Sequence, residues 1–422
     1  MAHQVAVTVY APLRAGQLQA CQGLLHRMDE TGQPFRLLQF VSLPGVHFAR
    51  VILLEDSFDL DGRLIPASVI YMADVDGTRA HHWQQLVSAG RQEIDQLFGH
   101  CLDYPVEPTD ELRVRWLEAH HVMPAAYYVH CVGRTVGQIR AETQLCSQIE
   151  DLLDSGLIPP HLDPVSCHRR IVQELFNGPA NRWASHRRRG AGLLFRLGET
   201  LHLIVLATVV LAAAPVLLPV AVVWICAIRV KEQTDKAETG QVDFGHLEAV
   251  RRHEDFGAQN PLTAVGLVKA GVIRRVAMRV GLLGLDYANR HIFNRDNLAG
   301  VRSIHFARWV PLDGGRRLIF ASSYDGSAES YMDDFINQLH WGINLIFSNG
   351  VGFPATRWLV HGGAQNEIAY KNFLARHQIP TPVFYSAYPE VTAVNIDTHG
   401  QIRDGTARAM DHAHACRWLA ML

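Results

Sequence analysis

Apolar and polar positions along the chain follow two periods, and the changes between them mark out elements. Residues 5–10 read as a strand, and 17–28 carry apolar residues at helical spacing. Strands are predicted at 47–54 and 67–73, helices over 79–100 and 111–120, and a strand at 126–130. The same order returns later: a strand at 262–268, a helix over 272–290, and strands at 303–310 and 317–322 across the Asp313-Gly314-Gly315 turn. A helix over 327–348 follows, with Tyr331, Phe335, Leu339, Ile343 and Ile346 at spacings of three and four. A further helix ends near His377, and a strand at 383–387 closes the series.

The two series are copies. His47-Phe48-Ala49-Arg50 recurs as His305-Phe306-Ala307-Arg308, 258 positions on. Each copy is followed by an apolar run ending in Asp-Gly, Asp76-Gly77 and Asp325-Gly326. The steps from Asp76 to Pro105 and from Asp325 to Pro354 are both 29. Arg14-Ala15-Gly16 matches Lys269-Ala270-Gly271, Trp116-Leu117 with His120 matches Phe373-Leu374 with His377, and Tyr127-Tyr128 matches Phe384-Tyr385. An ordered series at nearly constant offset is the signature of a duplication. The order βαββαβ is the ferredoxin-like arrangement. The expected fold is therefore α+β: repeat 1 over 1–140, a helical insertion over 141–258, repeat 2 over 259–405 and a tail over 406–422. Two such sheets packing by their bare faces would close one core or pocket.

The insertion holds the chain's most apolar segment. Residues 201–228 run 28 positions with His202 as the one ionisable side chain, long enough to cross a bilayer. Pro215 and Pro219 fall in its middle and are expected to break or kink a helix there. Upstream lie Arg182, Arg187, Arg188, Arg189 and Arg196; downstream lie Arg229, Lys231 and Lys236. Positive charge on both flanks favours two cytoplasmic ends. Two repeats that pair within one molecule must also share one side of the membrane, so a re-entrant hairpin or a surface-lying anchor is expected, on the cytoplasmic face of the inner membrane.

Charge and cysteine usage narrow the classes. With 39 Lys+Arg against 41 Asp+Glu, the net charge of −2 argues against a nucleic-acid partner. Seven scattered cysteines without a CxxC pair argue against a disulfide framework or zinc ribbon. The N-terminus reads as a strand, so no secretory signal is expected. The P-loop, HExxH, GxSxG and GxGxxG patterns are missing, which disfavours nucleotide hydrolysis, zinc proteolysis and α/β-hydrolase chemistry.

Laid out as two halves, the chain resembles the dimeric α/β-barrel superfamily in its fused form, the group of dye-decolourising peroxidases and chlorite dismutases. Its HFAR, DG and aromatic-Pro series is also similar to uncharacterised bacterial proteins. The resemblance covers about 140 residues at the N-terminus and about 150 at the C-terminus. It implies a pseudo-dimeric α/β barrel. It also implies haem, with a Gly-x-x-Asp-Gly motif whose Asp acts with an Arg on peroxide. The matching stretches here are Ser322-Ser323-Tyr324-Asp325-Gly326 and Ala73-Asp74-Val75-Asp76-Gly77, both without the first Gly. By this resemblance Asp325 and Arg308 would handle peroxide, and His377, His340 or His361 would ligate iron. The substrate class would be an apolar or lipid-derived small molecule.

Each of these residues also has a simpler reading. His305 and Arg308 lie three apart on a strand, which puts Phe306, Arg308 and Val310 on one face and His305, Ala307 and Trp309 on the other. Arg308 would sit beside Asp325 in a peroxidase cavity, or pair with Asp325, Asp333 or Asp334 as an interior salt bridge. The Asp-Gly pairs fit turn chemistry or helix N-capping. Tyr324 has no copy in the first repeat, so functional asymmetry is expected near it. His120 and His377 fit helix ends, where histidine meets the last carbonyls. The helix from Val272, with Arg274, Arg275 and Arg279 beside Val276, Val280 and Leu283, fits either an anionic lipid surface or a core helix with a basic outer face. The expected activities are a membrane-associated, peroxidase-like oxidoreductase or a non-catalytic membrane-surface binding and assembly module. A cofactor-free barrel enzyme working by His and Asp acid–base chemistry is a third.

Overall fold

The β-branched and aromatic runs form eight principal strands in a computed structural model that describes residues 4–30, 43–159, 161–186, 193–240, 242–255, 257–293 and 297–422. They are β1 (Gln4–Pro12), β2 (Val46–Leu54), β3 (Ser68–Asp76), β4 (Ala126–Val129), β5 (Gln259–Leu267), β6 (Ile304–Leu312), β7 (Arg317–Asp325) and β8 (Val383–Ser386). All pairings among them are antiparallel. The fold is thus α+β with antiparallel sheets, the class expected from the pattern.

The strand order is not what chain order alone would suggest. One sheet runs β1-β3-β2-β8 and the other β4-β6-β7-β5. Each sheet takes three strands from one repeat and its fourth from the other. Phe384 of β8 sits opposite Arg50, and Tyr127 of β4 opposite Arg308. One face of each sheet packs on the other through Ile52, Leu54, Ile70 and Met72 against Val310, Leu312, Ile319 and Ala321. The opposite face of the second sheet, with Ala307, Trp309, Phe320 and Tyr324, lies in a separate core.

The helices are α1 (Leu18–Glu30), α2 (Arg79–Ala89), α3 (Arg91–Phe98), α4 (Asp110–Ala119), α5 (Val136–Asp154), α6 (Pro164–Phe176), α7 (Leu193–Glu232), α8 (Phe244–Arg251), α9 (Val272–His291), α10 (Ala328–Phe347), α11 (Glu367–His377), α12 (Ala393–Thr406) and α13 (His412–Leu419). The helix expected over 79–100 is two, because Gly90 ends α2 by returning its N–H to Leu86 and then starts α3. Met278, Leu282, Phe335, Ile343 and Phe373 place α9, α10 and α11 in the second sheet's outer core.

The chain divides into two compact units. One is Ala2–Val136 with Trp224–Ala393 and holds both sheets; the other is Gly137–Val223 with Val394–Leu422. The second is helical, with Leu145, Ile149, Ile171, Leu175, Ile402 and Trp418 in its core. Its C-terminal stretch is helical: Asp411 caps α13, and the Trp418 indole donates to the Ile402 carbonyl at 2.9 Å. A Cβ on Gly405 would run into that indole. Gly405→Ala is therefore expected to cost about 1–3 kcal/mol, the usual range for overpacking, measured by thermal denaturation.

The apolar segment is one continuous helix in α7, with Pro215 and Pro219 inside it; of the expected break or kink, a break is not present. Each proline removes one hydrogen bond, yet all other backbone groups of an apolar helix still need internal partners. Residues 201–232 are long and apolar enough to cross a membrane. Arg187, Arg188 and Arg189 of the upstream basic flank lie outside the described residues.

Candidate functional site

The residues picked out by the duplication meet in the joint between the two sheets. Arg50 and Arg308 leave their own sheets and bind the facing one. Arg308 donates to the Val7 carbonyl at 2.7 Å, to Thr8 Oγ1 at 3.3 Å, and to the Asp74 carboxylate. Arg50 donates to the Leu262 carbonyl (2.8 Å), Thr263 Oγ1 (3.0 Å), the Ser322 carbonyl (2.8 Å) and Ser323 Oγ (2.7 Å). Val7 and Thr8 correspond to Leu262 and Thr263, and Asp74 corresponds to Ser323. The two bolts match at three places, one ending on a carboxylate and the other on a hydroxyl, and Arg50 has the Ser322 carbonyl in addition. Burial, and then the neighbouring Arg308 guanidinium, push the Arg50 pKa down to about 9, with Asp74 acting the other way.

Arg308 therefore does not stand beside Asp325, nor does it pair with Asp333 or Asp334. Its ion-pair partner is Asp74 of the other repeat. Asp325 instead accepts from His305 Nε2 at 2.6 Å, and its second oxygen accepts the Ala393 N–H at 2.7 Å, at the start of α12. Asp76 repeats this with His47 Nε2 (3.0 Å) and the Val136 N–H (2.9 Å), at the start of α5. The two Asp residues thus accept from the first residue of a distant helix, not from the helix that follows their own strand. The helices that follow immediately are capped by Thr78 and Ser327, while Gly77 and Gly326 take positive φ values of 87° and 81°.

His305 also departs from the strand alternation expected of it. A β-bulge between Ile304 and Phe306, matched by one between Val46 and Phe48, releases the histidine from the helix-facing row. Its ring comes within 5.1 Å of Phe48, and His47 within 5.2 Å of Phe306. Tyr388 joins the cluster, its hydroxyl 2.8 Å from His47 Nδ1. Gln4 and Gln259 complete the symmetry. Gln4 Nε2 donates to the Cys131 and Arg134 carbonyls, and Gln259 Nε2 to those of Tyr388 and Val391. His47, Arg50, Asp74 and Asp76 belong to the site as fully as the residues of the second repeat; the repeat offset was the signal for His47, Arg50 and Asp76, but not for Asp74, whose counterpart is Ser323.

Tyr324 is buried on the other side of β7, stacked on Tyr331 with centroids 4.0 Å apart. Its hydroxyl has no hydrogen-bond partner among the described residues. Burial raises its pKa above the usual phenol value, and Glu254 acts in the same direction. Glu254 accepts from Gln378 and is pushed up to about 7, chiefly by burial. A raised carboxyl pKa favours folding fully below the unfolded value near 4.5, and the contribution is lost as pH rises through about 7. Glu254→Gln is expected to flatten this stretch of the stability–pH curve, read by denaturation at pH values across that window.

The candidate iron ligands do not meet the Asp–Arg pair. His361 is exposed on a two-residue strand, and His340 is partly buried on α10. His377 donates from Nδ1 to the Phe373 carbonyl at 2.8 Å, the helix-end role that His120 plays with Trp116 at 2.9 Å. Burial lowers its pKa, so the ring is neutral at pH 7, with Nε2 as the acceptor. His377 lines a cleft of about 750 Å³, along with His26, His246 and His253. Leu25, Leu53, Leu54, Val265 and Ile379 supply apolar lining, and Glu55, Asp56 and Glu238 supply carboxylates. Haem needs an axial ligand and distal groups around one apolar slot. Here Arg308 and Asp325 are bonded within the sheet joint, and the cleft beside His377 sets Glu55, Asp56 and Glu238 against the Arg317 guanidinium, itself paired with Asp313, where propionates would need free cations. The residues do not fit haem.

Family models, curated proteins and solved structures were all compared with this chain, and none matches.

Proposed function

We propose that the protein is a membrane-attached binding module, built as two ferredoxin-like repeats in a pseudo-dimeric barrel. It sits at the cytoplasmic face of the inner membrane and takes an apolar small molecule with a polar or cationic end in the His377 cleft. The observation that carries this reading is the reciprocity of the sheet joint. Arg50 and Arg308, His47 and His305, and Asp76 and Asp325 hold matching places in both repeats. Groups that serve the same bonds twice are accounted for by structure, which leaves the cleft as the space for a ligand.

Strand exchange supports the mode of attachment. Residues 4–136 and 259–393 contribute strands to the same sheets, so they lie on one side of any membrane. The chain between them must cross an even number of times. Among its described residues α7 alone is long and apolar enough to cross. Attachment without net crossing follows, with the continuous helix α7 lying in the interface.

The test is absorption of the full-length protein purified in detergent from haem-supplemented cells. No Soret band is expected. A band at one haem per chain, with peroxide-dependent dye oxidation, would overturn this reading and restore the peroxidase-like oxidoreductase. Labelling of Cys167 and Cys416 from the same side of intact vesicles is expected; opposite sides would defeat attachment without crossing.

A further inference from the structure

The outer face of α9 is not the outer face of an ordinary surface helix. Its inner row (Arg274, Ala277, Met278, Gly281, Leu282) is buried, as a core helix requires. Its outer row is Val272, Val276, Val280 and Leu283, spaced four, four and three, one continuous stripe open to solvent. Val280 is 52% exposed and Leu283 68%. Arg275 and Arg279 flank the stripe, both exposed and neither with a carboxylate partner among the described residues.

The duplicated fold supplies an internal control. α1 holds the same place in the first repeat, and its exposed positions are Gln19, Ala20, Gln22, His26 and Arg27. The fold is built with a polar helix at that position, so the apolar stripe on α9 is not needed for folding.

The helix that carries the stripe packs on the end of the apolar helix. Ile273 and Ala277 of α9 pack with Trp224 and Ile228, in the last turns of α7. Beside them the Arg229 guanidinium lies 5.9 Å from the Trp358 ring, and Trp358 is 42% exposed. Tryptophan and arginine next to an apolar stripe are the composition of a membrane–water boundary.

We infer that the outer face of α9 rests on the lipid surface, with Val276, Val280 and Leu283 in the acyl–headgroup boundary and Arg275 and Arg279 on anionic headgroups. The inference rests on the reading of α7 as membrane-inserted. It adds that the sheet-bearing unit has a defined side turned to the bilayer.

The test uses the full chain with Cys167, Cys226 and Cys416 replaced by serine, reconstituted into phosphatidylcholine vesicles with or without phosphatidylglycerol. Val280→Cys carries an environment-sensitive fluorophore, and Ile368→Cys on α11, where the native residue is 76% exposed, is the control. The expected result is a blue shift at 280, quenched by brominated lipid and strongest with phosphatidylglycerol, while 368 stays water-like. Arg275→Glu with Arg279→Glu, or high salt, is expected to remove the dependence on phosphatidylglycerol. A water-like probe at 280 in protein that resists carbonate extraction would sink the α9 contact and leave α7 inserted. A blue shift that brominated lipid does not quench would assign the face to a second copy of the chain and overturn the lipid. Release by carbonate would defeat the α7 reading, and the α9 contact with it.

Discussion

Replacing Asp74 by alanine is expected to destabilise the protein by about 3–5 kcal/mol, the range for stripping one partner from a buried ion pair. The pair is deeply enclosed, with 4% of the Arg308 side chain and 5% of the Asp74 side chain exposed. Asp74 also accepts the Tyr127 hydroxyl at 2.9 Å. Without it, Arg50 and Arg308 would be two buried guanidiniums with no carboxylate between them. The matched change in the other repeat, Ser323→Ala, removes a single hydrogen bond to Arg50 and is expected to cost about 1–3 kcal/mol. The decisive variant is the swap Asp74→Ser with Ser323→Asp, which moves the carboxylate from one bolt to the other and is expected to recover most of the loss. Denaturant unfolding in detergent reads all three. Equal costs for the two single changes would show that the carboxylate has no special place in the joint.

The second large effect is expected at the end of α7. The Glu232 side chain is fully buried. It accepts from Thr356 Oγ1 (2.9 Å) and from the backbone N–H groups of Trp358 (2.9 Å) and Leu359 (2.8 Å), and pairs with Arg229 at 3.0 Å. Trp358 and Leu359 have φ values of 58° and 60°, in the left-handed region that side chains other than glycine rarely occupy. One carboxylate thus holds a strained turn against the last turn of the apolar helix. Glu232→Ala leaves three donors without this acceptor and is expected to cost about 3–9 kcal/mol, at about 1–3 per buried donor. Proteolysis at 358–359 should rise in step with the loss of stability. Glu232→Gln keeps an acceptor and should lose less. A stable Glu232→Ala protein with an uncut turn would mean that α9 and the Leu359 contact hold the helix end unaided.

These two sites also show where reading the chain succeeds and where it stops. The strands and helices were legible because each rests on spacing within a short window, and the duplication because matching motifs recur in order at a nearly constant offset. The structure differs at local punctuation, where Gly90 divides one expected helix and Pro215 and Pro219 fail to divide another. It differs more at His305, because a bulge adds a residue to one strand and turns a side chain without leaving a mark in the alternation. The importance of Glu232 was not legible, because its donors lie more than a hundred positions away, two of them backbone groups of any residue type.

By itself, then, the sequence determined that the protein is α+β, that its elements occur twice, and that one segment is apolar enough for a membrane. Those properties follow from local periodicity and composition. The tertiary structure alone decided that each repeat lends its last strand to the other's sheet. It also decided that Arg308 finds Asp74 rather than Asp325, and that Asp325 caps a helix far along the chain. The physical reason is that a strand edge or a buried charge accepts any partner of suitable chemistry. Which partner it meets depends on how the whole chain closes around its core.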